Sequence, residues 1–276
     1  MKNRLFFLLC VALLSSLTVS AQKLELLWST PPVLKTPESV LFHTEGNQIF
    51  VANINGQSDA KAGNGFITLL SPEGEIVKLE WVSGLDAPKG MGISGNHLYV
   101  ADIDQLVEID ITTAQISKRY PAPGAEFLND VTICSDGSVF VSDMRTKKIH
   151  RLVKGNFTEW FHSDDFNRPN GLFAENGKLY IGDQHIFVLD IATQKLSTAI
   201  TDAGGVDGLE KATSGQFIFS HWAGRVFLQT ENGLVKLLDT SADNIQSADI
   251  DFVVSQQLLL VPTFNNNRVV AYRLKP

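Results

Sequence analysis

The chain has 276 residues, with 23 Lys and Arg against 30 Asp and Glu and a formal net charge of −7. That balance argues against nucleic acid or anionic lipid as a partner, since both reward basic patches. Its two cysteines are Cys10 and Cys134, and Cys10 falls in a leader-like segment, so no intrachain disulfide is expected to frame the fold.

Residues 1–21 have the form of a signal peptide. Lys2 and Arg4 make a basic start, Leu5 to Leu14 is an apolar run, and Val19-Ser20-Ala21 ends in a small residue suited to cleavage. The run is too short to remain in a bilayer as an anchor. The expected mature protein, residues 22–276, is exported to the periplasm or the medium and keeps no hold on the membrane. Without Lys2 and Arg4 it carries 21 basic against 30 acidic residues, a charge of −9.

From Leu24 onward, short runs of β-branched, aromatic and leucine residues alternate with Gly, Asn, Asp and Pro turns, and no long segment keeps a helical period. After Leu24 to Trp28, a four-residue phrase recurs six times: Pro37-Glu38-Ser39-Val40, Pro88-Lys89-Gly90-Met91, Leu128-Asn129-Asp130-Val131, Pro169-Asn170-Gly171-Leu172, Val206-Asp207-Gly208-Leu209 and Ala248-Asp249-Ile250-Asp251. Successive second residues lie 51, 40, 41, 37 and 42 positions apart. A second apolar run follows each phrase, and these end at Asn53, Asp102, Asp143, Asp183, His221 and Thr263. Two further runs complete each of the first five units. The sixth stops after Val269 to Arg273, one strand short.

A period near forty residues with four strands per unit is the signature of propeller blades. The expectation is an all-β, six-bladed β-propeller over 22–276, its ring closed when Leu24 to Trp28 supplies the missing outer strand of the last blade. The excess length of blade one lies in Ile54 to Asn64 and reads as a surface insertion, idle or a flap over one rim. Cys134, at the end of Val131-Thr132-Ile133-Cys134, reads as a buried, inert thiol.

Inner strands of a propeller start at one rim of the central channel. The second residues of the phrases, Glu38, Lys89, Asn129, Asn170, Asp207 and Asp249, are therefore expected at one mouth. The second strands return to the same rim, one layer out, where Asp102, Asp143 and Asp183 read as caps of the turns that follow them. Glu38, Asn129, Asn170 and Asp207 offer oxygen donors from four blades, the mixture a hard divalent cation takes. None of the four is His or Cys, which points away from a zinc-type nitrogen and sulfur set. The same residues also serve as turn formers at strand starts.

On Asn129-Asp130, Pro169-Asn170-Gly171-Leu172, Asp207-Gly208-Leu209 and Trp222-Ala223-Gly224-Arg225-Val226, the mature region resembles the SMP-30/gluconolactonase family of regucalcin-like six-bladed propellers. Two positions depart from that pattern. Ser39-Val40-Leu41-Phe42 follows Glu38 where the family reads Gly-Pro-x-Trp, and Phe127 stands where sugar lactonases often carry Arg. Both departures point to a pocket more apolar than a sugar-lactone site.

The resemblance implies a metal-dependent hydrolase of a lactone or related ester. Glu38, Asn170 and Asp207 would hold one divalent cation, calcium first, with magnesium, manganese or zinc as alternatives. Asp207 would also assist the attacking water, and Asn129, Lys89 and His221 would meet the substrate. Lys89 alternatively balances the charge of Glu38 and Asp207, His221 alternatively serves the structure, and Asp249 reads as a solvated or turn-capping carboxylate or, alternatively, as a second acid near the metal. Trp222 and Phe264 read as an apolar wall or as packing. The expected partner is a small molecule, and the protein is read as a monomer. The alternative reading is a non-enzymatic secreted propeller that binds a ligand or protein at the rim, because the fold alone does not select a function.

Overall fold

The computed structural model describes residues 22–212 and 215–275, so the leader expected over 1–21 lies outside the described residues. Strand β1 (Lys23–Ser29) comes first. Blade one follows as β2 (Pro37–His43), β3 (Gln48–Asn53), β4 (Gly65–Leu70) and β5 (Ile76–Leu85). Blade two is β6 (Pro88–Ser94), β7 (His97–Asp102), β8 (Gln105–Asp110) and β9 (Gln115–Pro121). Blade three is β10 (Leu128–Ile133), β11 (Val139–Asp143), β12 (Lys148–Val153) and β13 (Asn156–His162). Blade four is β14 (Leu172–Glu175), β15 (Lys178–Gly182), β16 (Ile186–Asp190) and β17 (Leu196–Ile200). Blade five is β18 (Leu209–Lys211), β19 (Phe217–His221), β20 (Arg225–Thr230) and β21 (Gly233–Asp239). Blade six is β22 (Asp251–Val253), β23 (Leu258–Pro262) and β24 (Val269–Lys275), with β1 as its outer strand.

The six sheets are four-stranded and antiparallel, as expected for a six-bladed propeller closed by its terminal strands. In the closure β1 pairs with β24 from Lys23↔Lys275 to Ser29↔Val270. Thr30 extends it, donating its N–H to Val269 O at 3.0 Å while its Oγ1 accepts the Val269 N–H at 3.1 Å. The core lies between blades, not at the axis. Phe50 and Ile67 of blade one pack with Met91, Leu98 and Val107 of blade two. Val40 and Ile49 pack with Leu260 and Ala271 of blade six, so burial crosses the closing seam too. Cys134 is half-buried against blade-four residues, and desolvation raises its thiol pKa, which keeps it inert.

The inner strands carry the irregularity that builds the mouth. Their pairing with the second strands shifts register between Pro37 and Ser39, between Pro88 and Met91, and between Leu128 and Val131. Glu38, Lys89 and Asn129 sit in these β-bulges, and a bulge re-aims a side chain out of the regular alternation. In blades four and five the corresponding residues precede the strand proper. Asn170 N–H donates to Gly182 O, and Asp207 N–H to Ser220 O, both at 2.8 Å.

Candidate functional site

Glu38, Lys89, Asn129, Asn170 and Asp207, from five different blades, converge on one cavity of about 490 Å³ at the mouth of the channel. The remaining walls are Ile54, Ser58, Phe127, Met144, Arg168, Gly205, Val206, Trp222 and Phe264. Trp222 and Phe264 form a wall, their rings edge to face with centroids 5.6 Å apart.

A second layer sets the height of these residues. Asp102 accepts the N–H groups of Asp86 at 3.0 Å and Ala87 at 2.7 Å, just upstream of Lys89. Asp143 accepts those of Glu126 at 3.0 Å and Phe127 at 3.1 Å, upstream of Asn129. Asp183 accepts those of Asn167 at 2.8 Å and Arg168 at 3.1 Å, upstream of Asn170. Asn53 does the same for Lys35 at 2.9 Å, before Glu38. Asp143 and Asp183 also cap the turn that follows, as the sequence suggested, through Arg145, Thr146 and Gln184. Stapling the entry loop of each blade is the additional role.

His221 holds the equivalent place in blade five with the polarity reversed. Its Nε2–H donates to Ala203 O at 2.5 Å, and its ring lies against Phe219 and Phe227. Burial lowers its pKa and favours the neutral ring. His221 is not among the residues that line the cavity.

Charge at the cavity floor is tightly confined. Glu38 and Asp207 are each 6% exposed. Burial, and then the neighbouring Asp207, push Glu38 well above the usual carboxylate range. Burial pushes Asp207 up to about 7, opposed by Asn170, whose Nδ2–H donates to Asp207 Oδ1 at 2.7 Å. Glu38 Oε2 is buried and meets no hydrogen-bond partner among the described residues.

Lys89 is 1% exposed, and burial lowers its pKa to about 8 while Glu38 and Asp102 hold it up. It donates to Ser58 O and Ala87 O, both at 2.8 Å, and faces the Phe127 ring 4.5 Å from its centroid. Its charge therefore reaches Glu38 through space, without an ion-pair contact.

The insertion after β3 is not an idle loop. Ile54 is buried with Ala87 and Ile103, and Ile54 and Ser58 both line the cavity. Asp59 pairs with Arg145 of the third blade at 2.8 Å, Lys61 pairs with Asp104, and Gly63 N–H donates to Asp86 Oδ1 at 3.0 Å. The segment is strapped across the rim of three blades.

Asp249 does not share the mouth, which corrects the expected solvated or turn-capping carboxylate. In blade six it is Ala248 N–H that bonds to Pro262 O, at 3.1 Å, so Ala248 is the counterpart of Asn170 and Asp207. Asp249 lies one residue further on, bridged in parallel to Ser39, whose Oγ–H donates to Asp249 Oδ2 at 2.6 Å. A one-residue step along a strand turns the side chain to the other face. Asp249 therefore points into a separate cavity of about 240 Å³, together with Asp130, Glu210 and Asp251.

Asp130, Glu210 and Asp251 are not among the site residues expected from the sequence. Their signal is the alternation along the inner strands, first and third after each mouth residue. Asp130 Oδ2 accepts the Leu172 N–H at 2.5 Å and Asp251 Oδ2 the Phe42 N–H at 2.6 Å, so both tie neighbouring blades together. Burial pushes Asp130 up to about 7 and Asp251 up to about 6, and carries Glu210 and Asp249 well above the usual range.

The glycines after three mouth residues answer to the same crowding. A Cβ on Gly171 would collide with the backbone oxygen of Asp207, and one on Gly208 with the backbone of Ile250. Pro169-Asn170-Gly171 is thus a place where inner strands of adjacent blades approach closely.

No family model matches the chain, and no curated protein matches it. Solved structures do. A catalytically inactive histidine-to-alanine variant of virginiamycin B lyase from Staphylococcus aureus, with quinupristin, has a TM-score of 0.64 at 14% identity, covering 92% of this chain and 100% of that one. A streptogramin B lyase has a TM-score of 0.63 at 13% identity, covering 92% and 98%. A protein provisionally described as a gluconolactonase has a TM-score of 0.65 at 14% identity, covering 93% of each chain. At such identity the likeness establishes the propeller fold.

Proposed function

We propose that the protein is a divalent-metal-dependent hydrolase of the SMP-30/gluconolactonase type that opens a lactone or a related ester in the cavity at the channel mouth. One observation carries the reading. Two buried carboxylates, Glu38 and Asp207, line one cavity, and Glu38 Oε2 has no hydrogen-bond partner among the described residues. An ionised carboxylate buried in that condition costs several kcal/mol. A hard cation held by Glu38, Asp207 and the Asn170 amide oxygen would remove the cost, with calcium first and magnesium, manganese or zinc as alternatives. Such a cation, when bound, polarises a substrate carbonyl and stabilises the negative charge that develops on its oxygen.

The remaining steps belong to the side chains. Asp207, lining the cavity, is the carboxylate placed to take a proton from the attacking water. The Asn170 amide fixes the direction of that carboxylate. Water oxygen bonds to the carbonyl carbon, the ring C–O bond breaks, and the proton held by Asp207 passes to the departing alkoxide. Asn129 spends an amide N–H on the weak acceptor Met144 Sδ, at 3.7 Å, and orients the substrate with what remains. Lys89 fixes the strap above the site.

Among the described residues no histidine lines the cavity, whereas the virginiamycin B lyase is catalytically inactive as a histidine-to-alanine variant; this supports the hydrolase reading over a lyase one. The leader-like residues 1–21 support export.

The test is a panel of aldonolactones and simple lactones, with and without chelator, on wild type, Glu38→Gln and Asp207→Asn. The expected result is chelator-sensitive hydrolysis in the wild type and a loss of kcat/KM of about 10³-fold or more in each variant, with folding retained. A protein that binds no divalent cation and opens none of the lactones would refute the proposal and leave the non-enzymatic binder.

A further inference from the structure

We infer that the lactone taken by this site carries an apolar alkyl or aryl substituent and is not a polyhydroxylated sugar lactone. The inference rests on the hydrolase reading above and deepens it to a substrate class. The carboxylates and side-chain amides of the cavity are Glu38, Asn129, Asn170 and Asp207, all at the starts of inner strands. A sugar lactone needs hydrogen-bond partners around its ring as well, because a hydroxyl that loses water without gaining a partner is penalised.

Two cations beside the mouth are already engaged, while the Arg168 guanidinium in the wall meets only the weak acceptor Met144 Sδ, at 3.7 Å, among the described residues. Lys89 gives two N–H groups to Ser58 O and Ala87 O and turns its charge to one side of the Phe127 ring. Arg145 pairs with Asp59 at 2.8 Å, and its guanidinium lies 4.5 Å from the centroid of the same ring. Phe127 lies beside two cations, each already bonded within the protein.

Ile54, Phe127, Met144, Val206, Trp222 and Phe264 make most of the wall apolar, and Ser58 and Arg168 are its polar members. Ile54 and Val206 are buried, and Trp222 is 48% exposed beside Phe264 at the opening. A large aromatic left half in solvent beside a cavity is poised to cover an apolar group. The volume, about 490 Å³, falls in the range that encloses a ligand well beyond a bare lactone ring.

The experiment measures binding and turnover separately. For binding, 5-alkyl γ-lactams, from unsubstituted to octyl, and gluconolactam are titrated by calorimetry into the full-length mature protein with calcium present. Affinity is expected to rise about fourfold for each of the first several methylenes, with gluconolactam no tighter than the unsubstituted ring. Trp222→Ala, with Phe264→Ala as a second variant, should flatten that dependence by tenfold or more at octyl while the melting temperature holds. Affinity independent of chain length, or gluconolactam binding tightest, overturns the inference.

For turnover, the matching lactones are assayed. Lactams that bind with the expected slope while no lactone is opened would sink the hydrolase reading and leave the ligand class standing. Lactones opened with gluconolactone fastest would sink the ligand class alone.

Discussion

Glu38 concentrates the chemistry of the site in one side chain. Its bulge aims it at the mouth, burial and Asp207 raise its proton affinity, and one of its oxygens is unmatched. If it is a cation ligand, a hundredfold excess of calcium over its dissociation constant should stabilise the wild type by about 2.7 kcal/mol. For a domain of this size that raises the melting temperature by roughly 5–10 °C. Glu38→Gln should lose most of that rise in a thermal-shift experiment, and a variant that keeps the full rise excludes Glu38 as a ligand. The mouth residues were legible in the sequence because a polar residue at the start of an inner strand recurs against an apolar background. Asp249 was misread because a phrase alignment cannot see a one-residue step, which only the Ala248 hydrogen bond to Pro262 reveals. Charge balance by Lys89 and a structural His221 were among the sequence expectations, but their partners were hidden, since each bonds a carbonyl far away in sequence, Ser58 and Ala203.

At the scale of elements, the second strands do more than fill the blades. The carboxylates of Asp102, Asp143 and Asp183 draw down the loops that lead into the inner strands, so site geometry is set one layer behind the site. Asp143→Ala removes the acceptor for Glu126, Phe127, Arg145 and Thr146 and leaves buried N–H groups unmatched. The expected loss is about 2–4 kcal/mol in urea unfolding, accompanied by a weaker hold on any ligand touching Phe127 and Asn129. Stability within about 0.5 kcal/mol of wild type would show that the staple is ornamental. The strand pattern was readable from alternation and turn residues. A flap over one rim was one of two readings of residues 54–64, and the contacts that decide for it are non-local: Asp59 with Arg145, Lys61 with Asp104, Lys89 Nζ on Ser58 O and Ile54 against Ala87 and Ile103.

Across the whole molecule, the channel gathers more acid than nearby cations offset. Asp130 and Asp207 rise from 3.8 to about 7 and Asp251 to about 6 in the fold. Each binds its proton more tightly folded than unfolded, so unfolding releases protons. Stability of the cation-free protein is then highest below about pH 4 with respect to these groups and falls as pH rises toward 7. Chemical denaturation at pH 5 and pH 7.5, in chelator, is expected to show the lower midpoint at pH 7.5, and added calcium should restore it. A midpoint that rises over that interval would mean that the channel carboxylates are ionised and compensated. The ring closure was foreseen from a missing strand and a spare one, and deleting residues 23–29 should unfold the protein. The register of that closure sets Lys23 directly opposite Lys275, so a hairpin loop of about two to five residues can join the ends. The chain can then be cut elsewhere, at Lys154-Gly155 between β12 and β13, on the face away from the cavity. Such a circular permutant should fold and keep the ligand site, because the seam is a property of the circle and not of the place where the chain starts.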